Sequence, residues 1–434
     1  MKELGIGLLG FGTVGAGVVD GLRRNADLIA GRLGARPVVK RIADLDVESD
    51  RGVAVEPAVL TRDAASVVND PDVDIVVELI GGTGVAHTLV RQALECGKPV
   101  VTANKALLAE TGFELFDLAA RNSSDIYFGA SVGGGIPIIR ALSDGLIANR
   151  VLTVHGILNG TCNYILTRME QDGVSFDVAL KAAQAAGYAE ADPGLDIDGH
   201  DTAHKAAIIA SMAYGASVNL EKVHVEGIRS VTDTDIRYAG DLGYRIKLLA
   251  VIKASHDGDG AGVEVRVHPT MVHLDHILAS VSGVFNAVLV DGDLVGQSLY
   301  YGRGAGREPT ASTVIADIAD AVRDTVAGTE RLRSQRGPDA PALTIRDIGQ
   351  IESRYYLRLS LLDRPGVLAR IAAVLGEQDI GIASVLQKDT PCGDYAPAVI
   401  VTHSARESAM DAALSTIEAL DSVDGKPVRF RIEG

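Results

Sequence analysis

Five carboxylates crowd between positions 190 and 201: Glu190, Asp192, Asp196, Asp198 and Asp201. Lys205 follows Asp201 by four residues, so the two share one face of a helix. Such a cluster can hold an ammonium group while the lysine moves a proton. Blander readings exist. Acids at a helix start are favoured by the macrodipole, and an exposed Asp–Lys pair is worth little. The EF-hand spacing is missing, so calcium is not expected. His200 and His204 also stand four apart. Without His-Glu-x-x-His or a third ligand they do not read as a zinc site. Cys162 reads as a small packed residue, since no base pattern points to it. A second lysine, Lys105, closes the run Thr102-Ala-Asn-Lys after an apolar segment. At the carboxyl end of a strand it can hold a substrate's charge or move a proton; otherwise it is a surface residue.

Gly10-Phe-Gly12-Thr13-Val14-Gly15 matches G-x-G-x-x-G. It follows an apolar strand and opens a helix, the context in which the pattern binds a dinucleotide. Gly10 permits the tight turn, Gly12 lets backbone approach a pyrophosphate, and Gly15 lets helix and strand pack. The helix N-terminus then favours the anion. A structural glycine turn or the related loop of methyltransferases is the alternative. Asp44 ends the second strand, where an acid would take the ribose hydroxyls and repel a 2′-phosphate. Lys40 and Arg41 stand near and could serve that phosphate instead. Asp44 tips the expectation towards NAD over NADP.

These residues need a scaffold. Strands are expected at 4–9, 38–44, 73–80 and 98–102, with helices from the glycine turn to about 30, at 85–96 and at 105–120. That alternation predicts a doubly wound parallel sheet, a Rossmann-type domain over 1–130. Gly133-Gly134-Gly135 and Pro137 mark its end. A mixed α/β domain follows over 131–328. It has helices from 138 and at 159–169, 176–186 and 202–214, and strands at 151–156, 263–269 and 283–291. A helix at 309–326 is expected to return to the first domain. Residues 329–353 begin with a charged, Pro-containing linker. Over 354–434 the order βαββαβ predicts a small ferredoxin-like domain.

The 434 residues accommodate about three domains at ~150 residues each. Apolar residues at 47% and charged residues at 23% exclude wholesale disorder. Lys plus Arg total 41 against 57 Asp plus Glu, a net charge of −16. That acidity, with no basic block, argues against nucleic acid or an anionic membrane as partner. No run reaches the ~18 apolar residues of a membrane span. Glu3 and the early glycines make the N-terminus a buried strand and turn rather than a signal peptide. Cys96, Cys162 and Cys392 form no disulfide framework, which points to a reducing, cytoplasmic setting.

Taken together the motifs resemble homoserine dehydrogenase, in its bacterial form with a C-terminal ACT domain. The segments that carry the likeness run in order along the chain: 10–15, 101–105, 130–137, 156–166, 187–193, 198–205 and 301–312. The resemblance implies NAD(P)-linked interconversion of L-homoserine and L-aspartate 4-semialdehyde, feeding threonine, methionine and isoleucine. By the same resemblance Lys205 is the proton-transferring lysine and Lys105 the second active-site lysine, close to substrate and nicotinamide. Glu190 would bind the substrate's amino group, and Asp196 and Asp201 would orient substrate and lysine. Thr102 and Gly306 would line the cofactor with Gly10, Gly12, Thr13, Val14, Gly15 and Asp44. A monovalent cation, sodium, is implied at Gly129, Val132, Gly134 and Ile136. Relatives usually carry Glu where this chain has Gly129. They often have Val-Arg-Asp where it reads Asp44-Leu45-Asp46, so it lacks a 2′-phosphate partner there. Leu362-Asp363-Arg364-Pro365-Gly366-Val367-Leu368 resembles the ACT signature turn, with Asp363 and Gly366 at the place for an effector, threonine. Such domains also serve only to dimerise. A homodimer or homotetramer is implied. The rivals are a Rossmann dehydrogenase for a related aldehyde and a catalytically silent amino-acid sensor; both lysines being present argues against the sensor.

Overall fold

The computed structural model describes residues 1–255, 262–328, 344–387 and 395–433. The charged linker stretch 329–342 and Cys392 lie outside the described residues. The chain divides into two compact units. One comprises Met1–Leu152, His204–Leu220 and Asn286–Leu343, the other Thr153–Ala203, Glu221–Phe285 and Thr344–Gly434.

In the first unit, β1 (Lys2–Leu9), β2 (Ala35–Ala43), β3 (Leu60–Thr61), β4 (Ile75–Glu78), β5 (Val100–Thr102) and β6 (Ile126–Tyr127) form a parallel sheet. Its order is β3-β2-β1-β4-β5-β6. The inner strands are continuous apolar runs because both their faces are covered. The strand order reverses between β1 and β4, and ligands gather at such a switch point. There the carboxyl ends are in register: Leu9 pairs with Glu78, and Glu78 with Thr102. The helix expected to reach residue 30 is two helices, Thr13–Arg24 and Ala26–Leu33. Asn25, a poor helix residue, leaves helical geometry between them. Val314, Ile318 and Val322 of the helix Arg307–Ala327 share one core with Leu4, Ile6, Leu8, Val18 and Ile75. The helix expected from 138 is only Ile138–Arg140, followed by a wider turn over Ala141–Gly145.

Further along come β7 (Val151–Ile157), β8 (His224–Val225), β9 (Tyr244–Ser255) and β10 (Gly262–His273). In the second unit β9 pairs antiparallel with β7 and, over twelve residues, with β10. The sequence reading missed β9. Its Leu248–Ile252 stretch is buried and does not alternate, which hides the strand from a period-2 test. It also missed the helix Asp233–Asp241, although Thr232 and Asp235 form a capping box at its start. Next, β11 (Phe285–Gly292) and β12 (Gly296–Arg303) are neighbours in their sheet.

After β13 (Thr344–Ile345) come β14 (Glu352–Leu362), helix Val367–Glu377, β15 (Ile382–Gln387), β16 (Tyr395–Thr402), β17 (Ala405–Arg406), helix Glu407–Glu418 and β18 (Val428–Glu433). The strand order β18-β14-β16-β15 and two helices give the expected ferredoxin-like βαββαβ layout. Both helices pack on one face, through Ile371, Leu375, Met410 and Ile417. β18 also pairs in parallel with β10 through Thr270–Arg431, Met271–Ile432 and Val272–Glu433. The small domain's sheet therefore continues the sheet of the middle domain.

Candidate active site

The glycine turn has three distinct surroundings. Gly10 has φ +99°, and a Cβ there would stand 2.7 Å from the Leu79 carbonyl oxygen. A Cβ on Gly15 would stand 2.2 Å from the Gly10 carbonyl oxygen. Around Gly12 there is open space: nothing lies within 4 Å of where its Cβ would be. So Gly10 and Gly15 are fixed by the turn and by helix packing, while Gly12 leaves a cradle. The first-turn N–H groups of helix Thr13–Arg24, with Thr13 and Val14 leading, have no partners within the helix. That donor set and the empty space fit a pyrophosphate.

Asp44 follows β2, and the turn itself uses its carboxylate. Oδ2 accepts from Phe11 N–H, and Oδ1 accepts from Asp46 N–H at 2.9 Å. Lys40 and Arg41 point elsewhere: Lys40 stands 3.4 Å from Glu3, and Arg41 binds Asp70 and the Ala58 carbonyl. Asp46 is held down to about 2 by hydrogen bonds from Ser49 and Glu48.

At the end of β4, Glu78 is fully buried (0% exposed), and sequence reasoning did not single it out. Oε1 accepts from Ile80 and Gly81 N–H at 2.9 Å each, and Oε2 accepts from the Thr102 hydroxyl at 2.6 Å. Thr102 in turn accepts from Asn104 N–H at 3.0 Å. Asn104 caps the helix Lys105–Arg121 and donates to the Gly82 carbonyl at 2.7 Å. Lys105 is thus the first residue of a helix whose start is tied to two loops.

The loop 129–136 packs against the loop after β12. Gly135 N–H donates to the Arg303 carbonyl at 3.0 Å, and Thr313 Oγ1 donates to the Gly134 carbonyl at 2.7 Å. A Cβ on Gly304 would stand 2.0 Å from Asn286 Nδ2. Gly306, φ +120°, caps the helix Arg307–Ala327. Gly129 has no side chain to offer, but Asp317 Oδ1 lies 2.8 Å from where its Cβ would be. Asp317 also accepts from Ala130 N–H at 3.2 Å. A cavity of about 200 Å³ opens here, lined by Gly129, Gly135, Pro137, Arg140, Thr313 and Asp317. Of the carbonyls expected to hold a cation, Gly134 and Ile136 each already accept one hydrogen bond. A carbonyl has a second lone pair, and Asp317 adds negative charge, so the loop fits a monovalent cation. Among the described residues, no three His, Cys, Asp or Glu side chains cluster to hold a metal ion.

In the second unit the acidic cluster divides by use. Asp198 pairs with Arg229, whose hydrogen bond holds its carboxyl below the usual range. Asp192 caps Gly194 N–H at 3.1 Å, and Glu190 is exposed. Asp196 and Asp201 are brought together by Asn159, the N-cap of helix Gly160–Asp172. The same helix start grips the acidic loop twice more. Thr161 Oγ1 donates to the Tyr188 carbonyl at 2.6 Å, and the buried Cys162 thiol donates to the Asp196 carbonyl at 3.2 Å. Cys162 is therefore packed, as expected, and also hydrogen-bonded. Asp201 is buried and Lys205 half-buried, one turn apart on helix His200–Tyr214. Asp363 and Gly366 lie on an exposed turn before helix Val367–Glu377, with Gly366 at φ +90°.

Residues 10–129 match the NAD binding domain of homoserine dehydrogenase, 137–319 match homoserine dehydrogenase, and 355–422 match the ACT domain. A homoserine dehydrogenase of Neisseria gonorrhoeae is 46% identical over 100% of this chain and 99% of its own length. The chain belongs to the homoserine dehydrogenase family. It is an oxidoreductase of that kind, with a Rossmann-like NAD-binding domain and an ACT domain. The crystal structure of a homoserine dehydrogenase from Thiobacillus denitrificans is similar throughout. Its TM-score is 0.93 and its identity 45%, covering 100% of this chain and 99% of that one. A hyperthermophilic archaeal homoserine dehydrogenase, in complex with NADPH, is 28% identical with a TM-score of 0.63. That likeness covers 74% of this chain and 98% of the archaeal one. Among the described residues, no helix is long and apolar enough to cross a membrane.

Proposed function

We propose that this chain interconverts L-homoserine and L-aspartate 4-semialdehyde with NAD(P), in the cytoplasm, on the route to threonine, methionine and isoleucine. The full-length 46% identity to a homoserine dehydrogenase carries the reading, and the open cradle at Gly12 supports it. Bound nicotinamide would supply the redox chemistry at the carbinol carbon. Lys205 takes the hydroxyl proton in oxidation and returns it in reduction. Glu190 binds the substrate's ammonium, Lys105 its carboxylate, and Asp196 and Asp201 orient substrate and lysine. The pairing of Lys40 and Arg41 with other groups favours NAD over NADP. Gly129, Val132, Gly134 and Ile136 hold sodium, with Asp317 offsetting the missing side chain at Gly129. The protein works as a homodimer or homotetramer, and threonine binds the ACT turn at Asp363 and Gly366.

The test is homoserine oxidation by the purified chain with NAD or NADP, with and without threonine, in sodium and in potassium. Turnover is expected, faster with NAD. Lys205→Ala should lose about 10²–10⁴-fold while still binding dinucleotide. Near-normal turnover of that variant would remove Lys205 from its role. No turnover with either cofactor would leave an amino-acid sensor as the better reading.

A further inference from the structure

Asn159 has no part in the roles assigned above, yet every polar atom of its side chain is used. It is 5% exposed. Oδ1 accepts from Cys162 N–H at 2.8 Å, completing the helix cap. Nδ2 donates one hydrogen to Asp196 Oδ1 at 2.7 Å and the other to Asp201 Oδ2 at 2.8 Å. The amide cannot be reversed, since that would set its carbonyl oxygen against two carboxylates and its NH2 against an N–H donor. Asp196 comes from the short helix Gly194–Ile197 and Asp201 from the start of helix His200–Tyr214. One nitrogen thus joins carboxylates from two elements.

The chemistry of that bridge is particular. Two carboxylates within reach of one atom tend to share a proton. A cation between them would suppress this but would also cancel their charge. A neutral amide donates to each ionised oxygen, which favours the charged forms, and itself cancels neither negative charge. The titratable and charged groups on the elements that carry the pair are Cys162, whose thiol donates to the Asp196 carbonyl, Asp192 and Asp198 near Asp196 in the chain, the latter paired with Arg229, and His200, His204 and Lys205 on the helix of Asp201. Thr161 and Cys162 hold the backbone of the same loop, so the bridge is one of three grips from one helix start.

We infer that Asn159 is a positioning residue that keeps Asp196 and Asp201 both ionised and aimed, so that the pair receives a cationic group. The inference rests on the reading that these acids serve the homoserine site.

Asn159→Ser and Asn159→Asp test it, because both side chains cap helices and so preserve the fold. Ser removes the double donor; Asp adds a third carboxylate. Unchanged circular dichroism and thermal midpoint establish that the variants fold. In the full chain, the acid limb of kcat/KM for homoserine should move up by about one pH unit in the Ser variant and further in the Asp variant. At neutral pH kcat/KM should fall about tenfold or more, with KM for the dinucleotide unchanged. The infrared carboxylate band, followed against pH, should show protonation at higher pH than in the native chain. Coincident acid limbs and infrared titrations would overturn the inference, whatever happens to kcat. The parent reading fails separately. If the native chain turns over homoserine with neither cofactor while the infrared shift persists in Asn159→Ser, the bridge stands but the homoserine assignment does not.

Discussion

Lys247 on β9 is a buried lysine with no carboxylate among its hydrogen-bond partners. It is 2% exposed, and its Nζ donates to the Val281 carbonyl at 2.5 Å and to Asn163 Oδ1 at 3.2 Å. Burial pushes its pKa down to about 8, with Glu170 pulling it up and Arg245 pressing it down. An unfolded lysine titrates near 10.4, so charging it in the fold costs about 3 kcal/mol. Below pH 8 that penalty is fully present. Between about pH 8 and pH 10.4 the unfolded chain holds a proton that the native chain has lost, so stability rises with pH. Lys247→Met removes the penalty and with it the rise. It also leaves two buried acceptors without a donor, at roughly 1–3 kcal/mol each. Near pH 7 the effects largely offset, and the variant should lie within about 3 kcal/mol of the native chain. By pH 10 the native chain should have gained most of about 3 kcal/mol that the variant has not. Urea unfolding of both proteins at pH 7, 8, 9 and 10, followed by far-ultraviolet circular dichroism, measures the difference. Titrations common to both chains cancel in it. A native-minus-variant stability that stays constant or falls as pH rises would refute the reasoning.

Three variants probe the cofactor turn. Asp44→Ala should weaken both dinucleotides, because Phe11 and Asp46 lose the carboxylate that shapes the turn, and should weaken NAD more. Calorimetric titration with each cofactor checks this; unchanged affinity for both would show that the turn holds itself. Gly12→Ala should leave the thermal midpoint almost unchanged, since its Cβ meets only open space, yet abolish dinucleotide binding. Gly15→Ala should lower the midpoint, because its Cβ would meet the Gly10 carbonyl at 2.2 Å. Equal stability of the two alanine variants would undo the distinction between cradle and packing.

The glycine turn and the alternating elements of the first domain could be read from sequence because each is a local pattern. Gly10, Gly12 and Gly15 keep their spacing in any context, and the helix Lys105–Arg121 lies within a residue of its expected end. What escaped depends on long-range partners. Glu78 falls within the strand expected at 73–80, and only folding sets it beside Thr102, twenty-four residues on. Asp317 sits on an ordinary helix until the loop at Gly129 folds against it. Asn159 was legible as the start of a helix, but its bridge to Asp196 and Asp201 spans more than thirty residues. β9 failed for the opposite reason: burial on both faces erased the alternation that marks a strand.

The seam between β10 and β18 has an energetic consequence for the ACT domain. Glu433, on β18, accepts from Arg266 of β10 at 2.6 Å and from Lys253 of β9 at 2.7 Å. Burial would raise its carboxyl, but His155, Arg266 and Lys253 hold it far below the usual range. Arg431, two residues earlier, bonds Glu407 within the ACT domain and Glu226 beside β8. On β14, Arg358 and Tyr356 both donate to the fully buried Asp235 of helix Asp233–Asp241. Moving the ACT sheet along β10 would part Glu433 from Arg266 and Lys253, and Arg358 and Tyr356 from Asp235, and breaking one such buried pair costs about 3–5 kcal/mol. That exceeds what three ladder pairs alone would resist. The charges, more than the short ladder, make the ACT sheet and β9–β10 a single sheet. β9 also carries Lys247, whose ammonium fixes Asn163 in the helix that starts at Asn159's cap.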